Sequence, residues 1–330
     1  MTLPAVAVFS LGGTISATET GGSGVEPTLT CEALVEDVPE IAEVAEVSAD
    51  SFRQVPGSEL TLDDLVELST EIKSRIDKGA KGVVVTQGTD SIEETAFVLD
   101  LLVDAEAPVV VTGAMRNPTL PGAEGPANLL ASVQVAASEA ARGVGAVVVL
   151  NDEIHAARFV QKTHTSNPAT FRSPLTGPIG WISEGNPRVA THPVKRYHIA
   201  LPPETQDRPV ALYTVALGDD GRLLSAIGQS GYEGLVIEAF GAGHVPSVMV
   251  EPLEELAAEM PVALASRTRG GEVLKNTYGF PGSETDLLER GLINAGMLDG
   301  PKARLLLSLL LRSGTSKEEV AGEFERWFGG

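Results

Sequence analysis

Seven short runs in this chain are apolar at consecutive positions rather than at every second one, most ending on a polar residue: Ala5–Ser10, Gly82–Thr86, Val109–Thr112, Ala146–Leu150, Val210–Val215, Leu235–Glu238 and Val262–Ser266. A strand with one face in water alternates apolar and polar residues. These runs do not alternate, so each predicts a strand covered on both faces, as in a parallel sheet. Helical patterns fall between them. Thr61 can cap a helix whose first turn holds Asp63 and Asp64 and whose apolar stripe is Leu62, Leu65, Leu68 and Ile72. Asp90–Val103 and Pro126–Ala141 read as two more helices, and Thr315-Ser-Lys-Glu318 as a capping box for the last one. Regular alternation of strand and helix predicts an α/β class with parallel sheets.

The 330 residues suffice for two domains of about 150 each. The segment 187–209 holds five prolines and no periodicity, and reads as a linker. The expected division is a larger N-terminal catalytic α/β domain with a mostly parallel sheet (1–186), the linker, and a smaller C-terminal α/β domain with a parallel sheet (210–330). The balance of 24 basic and 45 acidic residues, a net charge of −21, argues against nucleic acid or an anionic membrane as a partner. Cys31 is the only cysteine, which removes internal disulfides and cysteine metal sites. Five histidines without an H-E-x-x-H spacing predict no metal, and the missing phosphate-loop and G-x-G-x-x-G patterns predict no nucleotide cofactor. No apolar run of 18 residues occurs, and the N-terminus lacks the basic start of a signal peptide, so a cytoplasmic protein without a membrane partner is expected.

In open α/β sheets ligands gather beyond the carboxyl ends of the strands. After the first strand comes Leu11-Gly12-Gly13-Thr14, two glycines that permit close backbone approach followed by a hydroxyl. After the second comes Gln87-Gly88-Thr89-Asp90, a glycine, a hydroxyl and a carboxylate at a helix start. After the fourth comes Asn151-Asp152-Glu153, then His155, Lys162 and His164.

Five segments in order, SLGGTISAT (10–18), VVVTQGTDSIEETAF (83–97), VVTGAMRNPTLPGAEGPANLLASV (110–133), VVLNDEIHAARFVQKTHTSNPATFRSP (148–174) and GMLDGPKARLLL (296–307), resemble the bacterial-type L-asparaginase/glutaminase family over nearly the whole chain. The resemblance implies a hydrolase that splits a side-chain amide, without cofactor, into carboxylate and ammonia. Position by position it implies catalytic roles for Thr14, Thr89, Asp90 and Lys162. Substrate contacts are implied for Gly13, Gly88, Asp90, Ser58 and Glu59, and for Glu284 reaching the site of a neighbouring subunit. A homo-oligomer, a dimer of dimers, is implied with it.

The chemistry is consistent with those roles. A threonine hydroxyl needs a base or a positive field to become nucleophilic, and a desolvated Lys162 could supply either. An amino-acid zwitterion needs an acid for its ammonium, Asp90 or Glu59, and hydroxyl or amide donors for its carboxylate, such as Ser58.

Three positions depart from the family pattern. The glycine-rich segment Glu19–Pro27, expected to act as a lid, has no tyrosine, with Val25 where one is usual. His244 replaces an asparagine, as a loop hydrogen-bonder or a substrate contact. Glu124 replaces an aspartate, a change expected to be neutral. Tyr278, in the loop Asn276–Gly282, is a candidate for supplying the hydroxyl that the lid lacks; the competing expectation is that its ring only packs. Two other functions fit part of the pattern. An inactive family member serving as a binding or regulatory protein is disfavoured by the four intact catalytic positions. An asparaginase-like amidotransferase subunit is disfavoured because the first strand starts near residue 4.

Overall fold

A computed structural model describes residues 2–19, 25–193 and 196–328. The chain divides into one compact unit ending at His198 and a second beginning at Ile199, inside the segment read as a linker. The first unit is built on an eight-stranded sheet. Its order across the sheet is Asn186–Val189, Gly180–Ser183, Glu153–Ala156, Ala146–Leu150, Val109–Thr112, Gly82–Thr86, Ala5–Ser10, Glu46–Ser51. The five strands from Ala146–Leu150 to Glu46–Ser51 are parallel, and the other three continue the sheet antiparallel. The second unit carries four parallel strands in simple chain order, Val210–Thr214, Gly234–Ala239, Val262–Ser266 and Ile293–Asn294. The expected α/β class with two parallel sheets is the one observed.

The central strands are buried on both alternations, which is why their sequences do not alternate. On one face Val6, Val8, Val84, Val110, Val147 and Val149 pack with Leu129 and Val133 of the helix Gly125–Ala136, and with Cys31, Leu34 and Ile41. The residues between them, Ala7, Phe9, Val83, Val85, Val111 and Val148, are equally enclosed. Cys31 lies in this core with its Sγ against the Val8 carbonyl, and burial pushes the thiol up to about 11, so it stays protonated and inert.

Sequence pattern did not reveal the strand Glu46–Ser51, whose side chains are only partly buried. Its position is informative. In order of appearance the five parallel strands stand 2-1-3-4-5, so the chain moves outward from the first strand on one side, then returns to build on the other. The reversal leaves a crevice at the carboxyl ends of Ala5–Ser10 and Gly82–Thr86, where the crossovers diverge. The second unit, ordered without reversal, has no such point.

Asn151 and Asp152, which follow the fourth strand, form a two-residue hairpin turn with φ of 53° and 59° that pairs Leu150 with Glu153. Two local expectations need correction. Pro187–Val189, assigned to the linker, belong to an edge strand made by a second hairpin at Glu184-Gly185. The helix from Gly125 stops at Ala136, five residues short of the expected end, and a short 3₁₀ turn follows over Glu139–Ala141.

Helix Leu62–Asp77 starts at Thr61 with a full capping box to Asp64. The last helix, Lys317–Phe328, is latched one residue later than its sequence pattern suggested. The Ser316 amide and hydroxyl both donate to Glu319 Oε2, at 3.0 and 2.8 Å. Ser316→Ala is expected to lower stability by about 1 kcal/mol. Glu319→Ala should lower the unfolding midpoint, and Glu318→Ala should leave it unchanged; urea melts of the three variants check this.

Candidate active site

Three turns meet at the crevice. The first strand is prolonged by Leu11, whose amide donates to the Thr86 carbonyl at 2.8 Å. The chain then bends through Gly12 and Gly13, with φ of 99° and 83°, into a 3₁₀ turn over Thr14–Ser16. A Cβ on Gly13 would lie 2.0 Å from the Gly88 nitrogen, so only glycine lets the two turns touch backbone to backbone. The third turn, Gly57–Glu59, arrives because residues 53–55 run beside the first strand, Arg53 and Val55 donating to the Ser10 and Leu11 carbonyls. A Cβ on Gly57 would lie 3.0 Å from the Gly88 carbonyl oxygen, and Ser91 Oγ donates to the Gly57 carbonyl at 2.9 Å. Gln87, fully buried, donates through its amide to Ser91 Oγ and to the Gly88 carbonyl, which fixes the second turn from beneath.

This junction presents Thr14 half-buried, Thr89 buried, and Ser58, Glu59 and Asp90 toward solvent. Lys162 reaches it from a short hairpin in which Gln161–Lys162 pairs with Phe171–Arg172. Its Nζ donates to Thr89 Oγ1 at 2.9 Å and to Asp90 Oδ1 at 2.8 Å, with 16% of the side chain exposed. Its backbone amide donates to Glu93 Oε2 at 2.6 Å, and Glu93 is buried in the first turn of the helix Ile92–Leu102. Because Thr89 Oγ1 accepts from an ammonium, its own proton points elsewhere. The expected group of Thr89, Asp90 and Lys162 is thus brought together. Glu93 was not foreseen. Its signal was an acid four residues beyond Thr89 at the start of the same helix, which also reads as ordinary helix-start chemistry.

Comparison with known proteins agrees with this geometry. The family model "Asparaginase, N-terminal" matches residues 5–195, and "Glutaminase/Asparaginase C-terminal domain" matches residues 209–324. The chain is 33% identical to an L-asparaginase of Bacillus licheniformis, covering 97% of this chain and 98% of that one. It is 36% identical to a probable L-asparaginase of Deinococcus radiodurans, over 98% and 97%. The crystal structure of a probable cytoplasmic L-asparaginase from Campylobacter jejuni superposes with a TM-score of 0.88 at 29% identity, covering 97% of this chain and 99% of that one. The chain belongs to the asparaginase family.

In this asparaginase-family chain Glu284, the acid expected to reach a neighbouring subunit's site, opens the helix Glu284–Glu289 of the second unit. Its carboxylate is fully enclosed in the second unit. Oε1 accepts from the amides of Thr277 and Tyr278 at 2.9 and 2.8 Å, and Oε2 lies 3.1 Å from His244 Nε2. Burial opposes its ionisation, but those amides and His244 outweigh burial and hold the carboxyl below the ordinary glutamate range. Such a carboxylate favours the folded state at neutral pH and loses that contribution as pH falls through its depressed value. His244 thus has a hydrogen-bond partner within its own loop region. Tyr278 packs its ring edge-on to His244 at 4.8 Å and lies 44% exposed beside Phe280. Glu124 holds a turn by accepting from the amides of Met115 and Arg116.

Of the lid, Ala17–Glu19 pairs antiparallel with Val25–Pro27, and residues 20–24 lie outside the described residues. Among the described residues no group of three or more potential ligands could hold a metal ion, and no helix is long and apolar enough to cross a membrane.

The backbone junction can be tested by ranking glycine substitutions. Gly13→Ala combines a left-handed φ with a 2.0 Å backbone clash and should cost about 4 kcal/mol or more. Gly57→Ala, at 3.0 Å and without a positive φ, should fold with a modest loss. Equal thermal midpoints for the two variants would show that the turns do not need this close approach.

Proposed function

We infer that this chain hydrolyses the side-chain amide of L-asparagine to L-aspartate and ammonia, with Thr14 as the nucleophile. The observation that carries the reading is the Lys162 ammonium shared between Thr89 Oγ1 and Asp90 beside the glycine turn that presents Thr14. Family membership and full-length similarity to L-asparaginases support the same reaction.

In this mechanism Thr14 Oγ attacks the amide carbon, and its proton passes to the departing nitrogen, which leaves as ammonia. The resulting acyl-enzyme is an ester. Water then attacks that ester, and a proton returns to Thr14 Oγ as the carboxylate is released. Amide N–H groups of the Gly13–Thr14 and Gly88–Thr89 turns are suited to the oxyanion, a contribution of about 3 kcal/mol per donor. Thr89, oriented by Lys162, positions the water and hands protons along the relay. Ser58 binds the α-carboxylate of the substrate, while Glu59 and Asp90 receive its ammonium. Glutamine, one methylene longer, is expected as a weaker substrate, since a methylene in a pocket is worth about 1–3 kcal/mol.

Thr14→Ala and Thr89→Ala should each lower kcat by several orders of magnitude without shifting the thermal midpoint. Lys162→Met should be nearly as severe, and Lys162→Arg should not restore activity, because a guanidinium does not give up its proton. A coupled ammonia assay on L-asparagine decides it: retention by Thr14→Ala of more than about a tenth of kcat removes the nucleophile assignment.

A homo-oligomer is part of the proposal. Leu217, 96% exposed, and Leu223 and Val248, both more than half exposed, are large apolar side chains that a second copy could cover. Light scattering at micromolar concentration should give a multiple of the 34.4 kDa chain mass, and a fully active monomer would refute this.

A further inference from the structure

His155 takes no part in the mechanism above, yet it is 1% exposed and bonded at both ring nitrogens. Nδ1 lies 3.0 Å from Ser173 Oγ and Nε2 lies 3.2 Å from Glu153 Oε2. Burial, reinforced by the nearby Arg172 charge and only partly offset by Glu153, holds the imidazole below its ordinary value, so the ring is neutral at physiological pH. A neutral ring has one donor and one acceptor. The carboxylate can only accept, so Nε2–H donates to Glu153, and Ser173 Oγ–H donates to Nδ1.

Ser173 is two residues beyond Phe171, the residue paired directly with Lys162. His155 sits on the strand Glu153–Ala156, inside the sheet and opposite Val148. The Ser173–His155 bond therefore ties the returning strand of the lysine hairpin to the rigid sheet. A second tie on this strand, from Arg172 to Glu153 at 3.2 and 3.4 Å, is half-exposed on the arginine side and correspondingly weak, while on the other strand the Lys162 amide donates to Glu93. The hairpin tip is closed on itself by Thr163 and Thr170, which hold the turn but not its place on the sheet.

We propose that His155 is a positioning residue for Lys162, setting through Ser173 where the ammonium stands relative to Thr89 and Asp90. The proposal rests on the reading of Lys162 as part of the catalytic group. Proton relays tolerate little displacement, and a shift of an ångström in a reacting group can cost about a hundredfold in rate.

The test is a kinetic cycle on the full chain with L-asparagine. His155→Phe keeps the ring volume and removes both nitrogens. Ser173→Ala breaks the same bond from the hairpin side and serves if the first variant does not fold. Each should lower kcat by about ten- to a hundredfold with KM within about twofold, and the double variant should be no worse than either single one. His155→Gln, whose amide can accept from Ser173 and donate to Glu153, should recover most of kcat. In a Lys162→Met background, His155→Phe should leave the residual rate unchanged. A parental kcat for His155→Phe and Ser173→Ala, additive losses, or a further loss in the Lys162→Met background would overturn the positioning role while leaving Lys162 catalytic. A parental rate for Lys162→Met itself would overturn both.

Discussion

The contact between the backbones of Gly13, Gly57 and Gly88 is the constraint on which the site depends. Three loops from three parts of the chain approach one another backbone to backbone, and each is immediately followed by the group it presents: Thr14, Ser58 and Thr89. The approach is closest at Gly13, where a Cβ would lie 2.0 Å from the Gly88 nitrogen, and tight but less severe at Gly57 and Gly88. The sheet supplies the other half of the constraint. Parallel registry sets the ends of Ala5–Ser10 and Gly82–Thr86 side by side, with Ser10 opposite Thr86, so the two threonines start from adjacent strand ends. The reversal of strand order places the crevice at those strand ends.

Charge within the site follows from how Lys162 is held. Its backbone amide is fixed by a buried carboxylate, its ammonium is divided between a hydroxyl and a more exposed carboxylate, and its hairpin is fastened to the sheet by a neutral imidazole. A flexible four-carbon side chain is thereby restricted at root and tip. The neutrality of His155 matters electrostatically as well. A charged His155 would instead be a buried cation beside Arg172, which already pairs with Glu153.

In the second unit a buried glutamate organises structure. Glu284 gathers two loop amides and a histidine, which satisfies both oxygens and shapes the loop around Tyr278 and Phe280. The spacing of residues along the chain carries no information about which amides such a carboxylate meets.

The sequence by itself determined the strands buried on both faces, the α/β class, the Gly-Gly-Thr and Gly-Thr-Asp turns, and the family. Each of these is a local property, readable because burial on two faces removes alternation and because a close backbone approach demands glycine. Other features depend on contacts between distant parts of the chain. Glu46–Ser51 lacks a strand signature because it is an edge strand and partly exposed, yet it creates the strand reversal. Glu93 and His155 looked like a helix-start acid and a scaffold histidine until folding brought them to Lys162, 69 residues away for Glu93, and to Ser173. Ser316 and Glu319 displaced Thr315 and Glu318 because the helix begins one residue later than its pattern. Glu284 accepts from the amides of Thr277 and Tyr278 because a buried carboxylate needs hydrogen-bond donors. Pairings between distant residues are fixed by the sheet and its crossovers, and a linear pattern holds the partners without saying which will meet.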